Sequence, residues 1–370
     1  MAKNTQRFSI VDEKISNLQF VYLIIMLVLT TADVFPPSII AALSGKDAWV
    51  AVILSTVTAS LIMSLYITLG TMHQDKTIME YSTYLLGRVL GKMIGLIYIG
   101  YFIYIGAIVL RELGEILRSA FLPTTPITAV LIIATALLCY GVYCGFEVIT
   151  RVNEWLFFLG IGLLQIVIIL AVPMADFSEY LPVFENGIMP SIKGAIVLLS
   201  YFGESVITLM IYPSIRDKSR TMQAGIFSIF CLGVVLEMGT IAIAVFGVIG
   251  TSRMLYPALE LVRMINYANF LQRLDATILA IWTAGIVLKL LLIMNTANTG
   301  VCQLVGLKDP KPTIIPIGLL ILTLSELFFD NVTDVYYYLM NHFTYTLSVT
   351  IGIPVLLFIV SLIKRQMTRV

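Results

Sequence analysis

The chain consists of long apolar runs, each of roughly 20 residues or more, separated by short polar segments. Hydrophobic residues make up 59% of it and charged residues only 12%, about half the charged share of a soluble domain. Backbone groups in lipid must find their hydrogen bonds inside the segment, and the runs are too long for the strands of a membrane barrel. The sequence therefore predicts an all-α polytopic membrane protein, with residues 1–370 as a single transmembrane domain in a lipid bilayer.

The apolar runs predict about ten spans. The first run is longer than a signal-peptide core and lacks a small-residue cleavage site, so we count it as a span. The predicted spans are residues 18–43, 48–71, 93–119, 124–142, 151–173, 191–214, 221–250, 271–304, 312–329 and 336–363.

Ten spans place both termini on one side of the membrane. The termini and the loops on their side hold fifteen of the 23 Lys and Arg residues, and the opposite side holds six. Because cytoplasmic loops carry the excess of Lys and Arg, we expect both termini in the cytoplasm. Short connectors at 75–92 and 253–266 have apolar residues at helical spacing, which suits helices that lie along the membrane surface. The alternative is that they are connectors that cover the bundle.

The first and sixth spans are both interrupted. The first contains the segment TTADVFPPS, in which Pro36 and Pro37 lack backbone donors and follow the acidic Asp33. The sixth contains SYFGES, in which Gly203 weakens the helix just before Glu204. The alternative is that these residues only kink the helices, since Gly and Pro are common in membrane helices.

The two interrupted spans occupy matching places in two halves of five spans, residues 18–173 and 191–363. Interrupted segments at matching positions indicate an inverted repeat with a binding site at the membrane midplane. Exposed helix ends offer free N–H groups to a carboxylate and free C=O groups to a cation. A zwitterionic amino acid fits both.

Residues near the midplane, at about 1.5 Å rise per residue from the span ends, are candidates for this site. A buried charge there must be paired or lose its proton, so Lys289 needs a counter-charge, and Asp33 and Glu204 are nearest by depth. We expect Lys289 to face the broken first helix; the alternative is a lysine that extends to the interface. The candidate ligand-binding residues are Thr30, Thr31, Ala32, Asp33, Tyr101, Tyr104, Ser200, Tyr201, Phe202, Gly203, Glu204 and Lys289.

In the outer part of the third span, Arg111 and Glu115 are spaced to form an ion pair. With Glu112 they either line an outer vestibule or simply mark the end of the helix.

Several functional classes are disfavoured. A net charge of +1 gives no electrostatic case for nucleic-acid binding. The four cysteines are scattered through apolar runs without a CxxC pair, so we expect neither a metal nor a disulfide there. Neither HExxH nor GxSxG occurs in the sequence, so we expect no enzyme activity and no cofactor.

The motifs together resemble those of the B subunits of bacterial spore germinant receptors, in the amino acid–polyamine–organocation permease superfamily. The resemblance covers nearly the whole chain. Its segments are TTADVFPPSI from Thr30, KDAWVAVIL from Lys46, GYF from Gly100, SYFGESVITLMIYPSIRD from Ser200 and, most specific, YPALELVRMINYANFLQRLDATILAIW at 256–282.

The resemblance implies a LeuT-like fold of five plus five helices with helices one and six broken. It also implies residence in the spore inner membrane with the termini on the spore core side, and partnership with the receptor A and C subunits. The expected ligand is a small-molecule germinant such as an L-amino acid. Family members often carry glycines in this part of the first helix. The larger residues Thr30 to Asp33 in this chain should narrow the pocket or add polar side chains to it.

The sequence is compatible with two functions. The chain is either the nutrient-sensing subunit of a germinant receptor, which signals to its partners to start germination, or an amino-acid permease that transports its ligand by alternating access. Both functions need the same pocket, so the sequence does not separate them.

Overall fold

The computed structural model describes residues 14–265, 274–341 and 343–367. Over these ranges the backbone is helical and contains no β-strand, only one isolated bridge between Ile15 and Ile215. The helices are α1 (Asn17–Ala32), α2 (Pro36–Ser44), α3 (Ala48–Met72), α4 (Ile78–Leu86), α5 (Arg88–Ala120), α6 (Ile127–Cys144), α7 (Phe146–Ala171), α8 (Met189–Gly203), α9 (Thr208–Ile211), α10 (Thr221–Gly239), α11 (Ile241–Arg253), α12 (Pro257–Met264), α13 (Leu274–Val305), α14 (Lys311–Leu327), α15 (Val332–Asn341), α16 (Phe343–Leu347) and α17 (Ile353–Met367).

By length and composition, eight helical segments within the described ranges can cross a membrane, or nine if the bent pair α14 and α15 is one span. One of the eight joins α2 and α3, although Gly45 between them has a φ of +59°. The predicted first span, 18–43, corresponds to α1 and α2 taken as one broken span. When α1 and α2 are counted as a span separate from α3, and α14 with α15 as another, the helices correspond to the ten predicted spans. Residues 271–273 of the predicted eighth span lie outside the described residues.

The break in the first span lies where the sequence predicts it. Ser16 and Gln19 form a capping box that starts α1, and Asp33 caps its other end. Pro36 and Pro37 then occupy the first turn of α2, where their missing N–H groups cost nothing. The prediction of a broken first helix is confirmed.

The break in the sixth span is milder. After Gly203 the chain tightens into a 3₁₀ turn over Glu204–Ile207, continues as α9 and ends in a second 3₁₀ turn at Tyr212–Ser214. Gly203 keeps right-handed helical angles, with φ −58° and ψ −26°. The helix is interrupted as predicted, but by a change of winding rather than by an unwound segment.

Two predicted spans end differently in the structure. The run 221–250 divides at Thr240 into α10, which ends at Gly239, and α11, which begins at Ile241. The helix α11 is itself bent at Gly247, where φ is +70°. The Thr251 hydroxyl donates to Ala242 O at 3.0 Å and holds the two parts of α11 together across that bend. In the predicted tenth span, 336–363, the first residues belong to α15, which turns 97° away from α14, and the apolar span begins at Phe343.

A helix forms in each of the two connectors, shorter than the apolar pattern indicates. In the segment 75–92, Thr77 and Glu80 form a capping box for α4, and Gly87, with a φ of +83°, turns the chain directly into α5. In the segment 253–266, the helix is α12, which starts at Pro257.

The hairpin of α4 and α5 yields a stability test at Gly91. A Cβ on Gly91 would lie 2.2 Å from Thr83 Cα, and backbone atoms cannot yield as the end of a flexible side chain can. We expect Gly91→Ala to lower the free energy of unfolding by roughly 1–3 kcal/mol, measured by thermal unfolding in detergent. Gly100→Ala is the control on the same helix, since nothing lies within 4 Å of its Cβ position. The control should be neutral or stabilising by up to about 1 kcal/mol, and equal melting temperatures for both variants would contradict the packing argument.

Candidate functional site

A buried ion pair joins three helices in the middle of the bundle. The Lys289 ammonium on α13 lies 2.5 Å from Glu204 Oε2 at the break after α8. The same ammonium donates to the Thr31 hydroxyl, also at 2.5 Å, at the end of α1. The Lys289 side chain is 0% exposed and that of Glu204 is 6% exposed. A charge at this depth costs several kcal/mol unless it is paired, so each side chain of the pair depends on the other.

Small residues at two helix contacts allow this approach. Gly285 precedes Lys289 by about one turn, and a Cβ there would lie 2.6 Å from Thr30 Cγ2. Gly203 packs as closely against Thr350, whose Oγ1 would lie 2.7 Å from a Cβ. The glycines thus bring α13 against α1, and the break after α8 against the π-helical turn at Ser348–Gly352.

Asp33, the other predicted counter-charge, does not meet Lys289. It is 3% exposed, and its Oδ2 has no hydrogen-bond partner among the described residues. Its Oδ1 would lie 3.3 Å from a Cβ on Gly239. With Thr30 it lines a cavity of about 60 Å³ whose walls come from α1, α7, α12 and α13 and from residues beside the α10–α11 junction. Of the two predicted counter-charges, only Glu204 meets Lys289.

A second cavity, of about 30 Å³, lies between α5, α8, α15 and α16. Of the predicted residues it is lined by Ser200, Tyr201 and Glu204, and Glu112 joins them from α5. Glu112 is 2% exposed, and its Oε2 has no hydrogen-bond partner in the described part of the chain.

Glu112 was not among the predicted site residues, although the sequence carried a signal for it. Tyr101, Tyr104, Ile108 and Glu112 are spaced by three, four and four residues, which places them on one face of a helix. Reading the helical face as well as depth would have found it. The neighbouring Arg111 forms the predicted ion pair with Glu115, at 2.8 Å.

The remaining predicted residues pack around these groups without lining either small cavity. The Tyr101 ring lies 6.4 Å from that of Tyr345, and the half-buried Tyr104 ring meets the same tyrosine edge-on at 5.2 Å. Ala32 and Phe202 are buried among apolar side chains. Their role in ligand binding stays a prediction.

Hydrogen bonds near the N-terminal end of α1 join the chain before α1 to the segment that follows α9. Ile15 N–H donates to Ser214 O at 2.9 Å, and Arg216 N–H donates to Ile15 O at 3.0 Å. Lys14 Nζ donates to Pro213 O at 3.0 Å. These bonds fasten the start of the first broken span to the end of the sixth.

A second set of contacts, between aromatic rings, lies beyond the break in the first span. The ring of Phe35 lies 5.3 Å from that of Tyr256 and 6.5 Å from that of Tyr336. Ser119 Oγ donates to the Tyr256 hydroxyl at 3.1 Å, which ties this cluster to α5. Along the chain, Thr31 lies between these two sets of contacts. In this structure the first broken span is therefore held on both sides of the residue that binds Lys289.

The fold defines the class of protein. The structure is similar to the crystal structure of MhsT in complex with L-phenylalanine, with a TM-score of 0.71 at 13% sequence identity, covering 95% of this chain and 99% of that one. At this identity the likeness shows the fold alone. The protein is therefore a multi-pass helical membrane protein of the LeuT fold.

The sequence comparisons give the family. A family model described as "Spore germination protein" matches residues 14–333, and the chain belongs to this family. Spore germination protein KB of Bacillus subtilis (strain 168) is 30% identical over 326 residues, 87% of each chain. Spore germination protein YndE of the same organism is 24% identical over 315 residues, which is 83% of this chain and 85% of the relative. The germinant-receptor B-type resemblance is confirmed.

The ion pair predicts a large effect of removing only one partner. Lys289→Met leaves the Glu204 carboxylate buried without its cation, and we expect a loss of roughly 3–5 kcal/mol in unfolding free energy. Adding Glu204→Gln should recover most of that loss, because a neutral pair has no unpaired charge to bury. Thermal unfolding of the two single variants and the double variant measures the coupling energy.

Lys308→Met, at an exposed position just after α13, is the control for loss of a lysine and should leave stability nearly unchanged. A Lys289→Met protein as stable as the parent would show that the ammonium does not neutralise Glu204.

Proposed function

We propose that this protein is the nutrient-sensing subunit of a spore germinant receptor. It would bind a germinant, most simply an L-amino acid, at the membrane midplane and signal to receptor A and C subunits to start germination. In this proposal it resides in the spore inner membrane with both termini on the spore core side, and residues 18–173 and 191–363 form the two inverted repeats. Membership of the spore germination protein family and the LeuT fold support the proposal.

The main observation in support of an amino acid as the ligand is the Lys289–Glu204 ion pair. It places one positive and one negative group side by side, at contact distance, between the two broken helices. An α-amino acid carries the same two charges. Its carboxylate would accept hydrogen bonds from Lys289 and the Thr31 hydroxyl, and its ammonium would pair with Glu204. Each protein charge then exchanges its protein partner for a ligand group and none is left unpaired.

Binding in this way requires the helices to move. Ligand sites usually enclose about 300 Å³ or more, whereas the cavities on either side of the broken helices measure 60 and 30 Å³. The ligand must therefore separate Glu204 from Lys289, and with them the breaks in the first and sixth spans. A ligand that binds only the separated arrangement shifts the population toward it. That shift is the event a partner subunit would read.

A ligand screen on the purified protein tests this proposal. Thermal unfolding should be followed against each common amino acid, and a ligand at about 100 times its Kd should stabilise the protein by roughly 2.7 kcal/mol. Thr31→Gly and Tyr101→Ala should weaken the response to any hit. Tyr140→Ala, at a 68% exposed tyrosine, should leave it unchanged. A screen without hits would count against ligand sensing by this subunit alone, and a hit insensitive to both variants would place the site elsewhere.

The permease alternative uses the same pocket, and the two functions differ only after the ligand has bound. Counterflow of the labelled hit in proteoliposomes separates them. A receptor subunit should bind the ligand without exchanging it across the membrane, whereas saturable exchange that Glu204→Gln abolishes would establish transport.

A further inference from the structure

The 30 Å³ cavity between α5, α8, α15 and α16 contains two buried polar groups, Glu112 and Tyr201, that the proposed function does not use. Six residues that line it have side-chain oxygens: Glu112, Ser200, Tyr201, Glu204, Tyr338 and Thr346. The Ser200 hydroxyl donates to Val197 O at 2.6 Å, so its oxygen lone pairs are left for another group. The Tyr201 hydroxyl is buried without a hydrogen-bond partner among the described residues.

The charges around this cavity do not balance. Glu112 is 2% exposed, and its Oε2 has no hydrogen-bond partner within the described ranges. The Lys289 ammonium is engaged by Glu204 and Thr31. The next cation along α5, Arg111, is engaged by Glu115 and by Ser325 O. Two carboxylates therefore share one ammonium, and an uncompensated charge in this place is costly, so Glu112 must take up either a cation or a proton.

We propose that Glu112 and Glu204, with the hydroxyls of Tyr201 and Ser200, bind one monovalent metal cation of the size of Na⁺ in this cavity. Carboxylate and hydroxyl oxygens are the donors that hard cations prefer. A volume of 30 Å³ has room for a single ion or water, since a cavity needs about 10–15 Å³ to hold one water. A single positive charge restores neutrality, whereas a divalent ion would exceed it and would require more oxygen ligands or retained waters than this volume holds.

The shared carboxylate connects this cation to the first helix. Glu204 lines the cavity and also pairs with Lys289, which in turn holds Thr31 at the end of α1. A cation that takes part of the Glu204 charge weakens its hold on Lys289. Occupancy of the cavity is thus coupled to the contact between α13 and α1, even when no organic ligand is present.

The test uses the full-length protein in detergent without any amino acid, so its outcome is independent of the germinant screen. Thermal unfolding is measured while NaCl replaces N-methyl-D-glucamine chloride at constant ionic strength and pH. We expect a saturable rise in melting temperature with Na⁺, accompanied by saturable binding of ²²Na⁺ at one ion per chain. Glu112→Gln should abolish both signals.

Glu237→Gln is the matched control, because Glu237 is a partly buried carboxylate in α10 that lines a separate cleft. It should leave both Na⁺ signals intact. Should Glu112→Gln fail to fold, Tyr201→Phe decides: loss of one oxygen ligand should weaken Na⁺ binding by about two- to tenfold.

Three results would overturn the proposal. One is a melting temperature that is the same in Na⁺ and in N-methyl-D-glucamine. Another is a Na⁺ response that survives both Glu112→Gln and Tyr201→Phe. The third is stabilisation that depends on pH and not on the metal cation, which would assign a proton to Glu112.

Discussion

A lysine ammonium inside a membrane bundle must have an anionic partner, and the rest of this structure is arranged around that requirement. Lys289 is fully buried, and it meets Glu204 and Thr31 at 2.5 Å each. The three residues come from three separate helical spans that only tertiary packing brings together. Because an unpaired charge there costs several kcal/mol, moving any one of these helices without the others is unfavourable. The ion pair therefore couples α1, α8 and α13 into one unit.

The two helix breaks and the glycines at helix contacts serve the same arrangement. The break before Pro36 ends α1 at the level of Thr31, and the 3₁₀ turn after Gly203 presents Glu204. Gly285 lets α13 approach α1 closely enough for Lys289 to reach both. The backbone bonds of Ile15 with the 214–216 segment and the aromatic contacts of Phe35 then hold the two ends of the broken first span. A ligand that separates the ion pair acts on all of these contacts together.

Sequence reasoning predicted the parts of this site that depend on position along a helix. The break at Asp33, the interruption at Gly203 and the burial of Lys289 all follow from residue type and from distance along an apolar run. It did not decide between Asp33 and Glu204 as the partner of Lys289, because depth says nothing about the direction a side chain faces. It missed Glu112 for the same reason. The span 221–250 was predicted as continuous because an apolar run has the same composition whether it forms one helix or is divided at Thr240 and bent at Gly247.

The sequence by itself determined that the chain is a helical membrane protein, where its helices weaken and which charges lie inside the bundle. Lipid imposes those properties on each segment separately, through the need to satisfy backbone hydrogen bonds and to exclude charge. Only the tertiary structure decided which buried charges meet, that Asp33 lies in one cavity and Glu112 in another, and that the interrupted sixth helix tightens rather than unwinds. Those outcomes depend on the rotation and close packing of helices against one another, which a linear pattern of hydrophobicity does not encode.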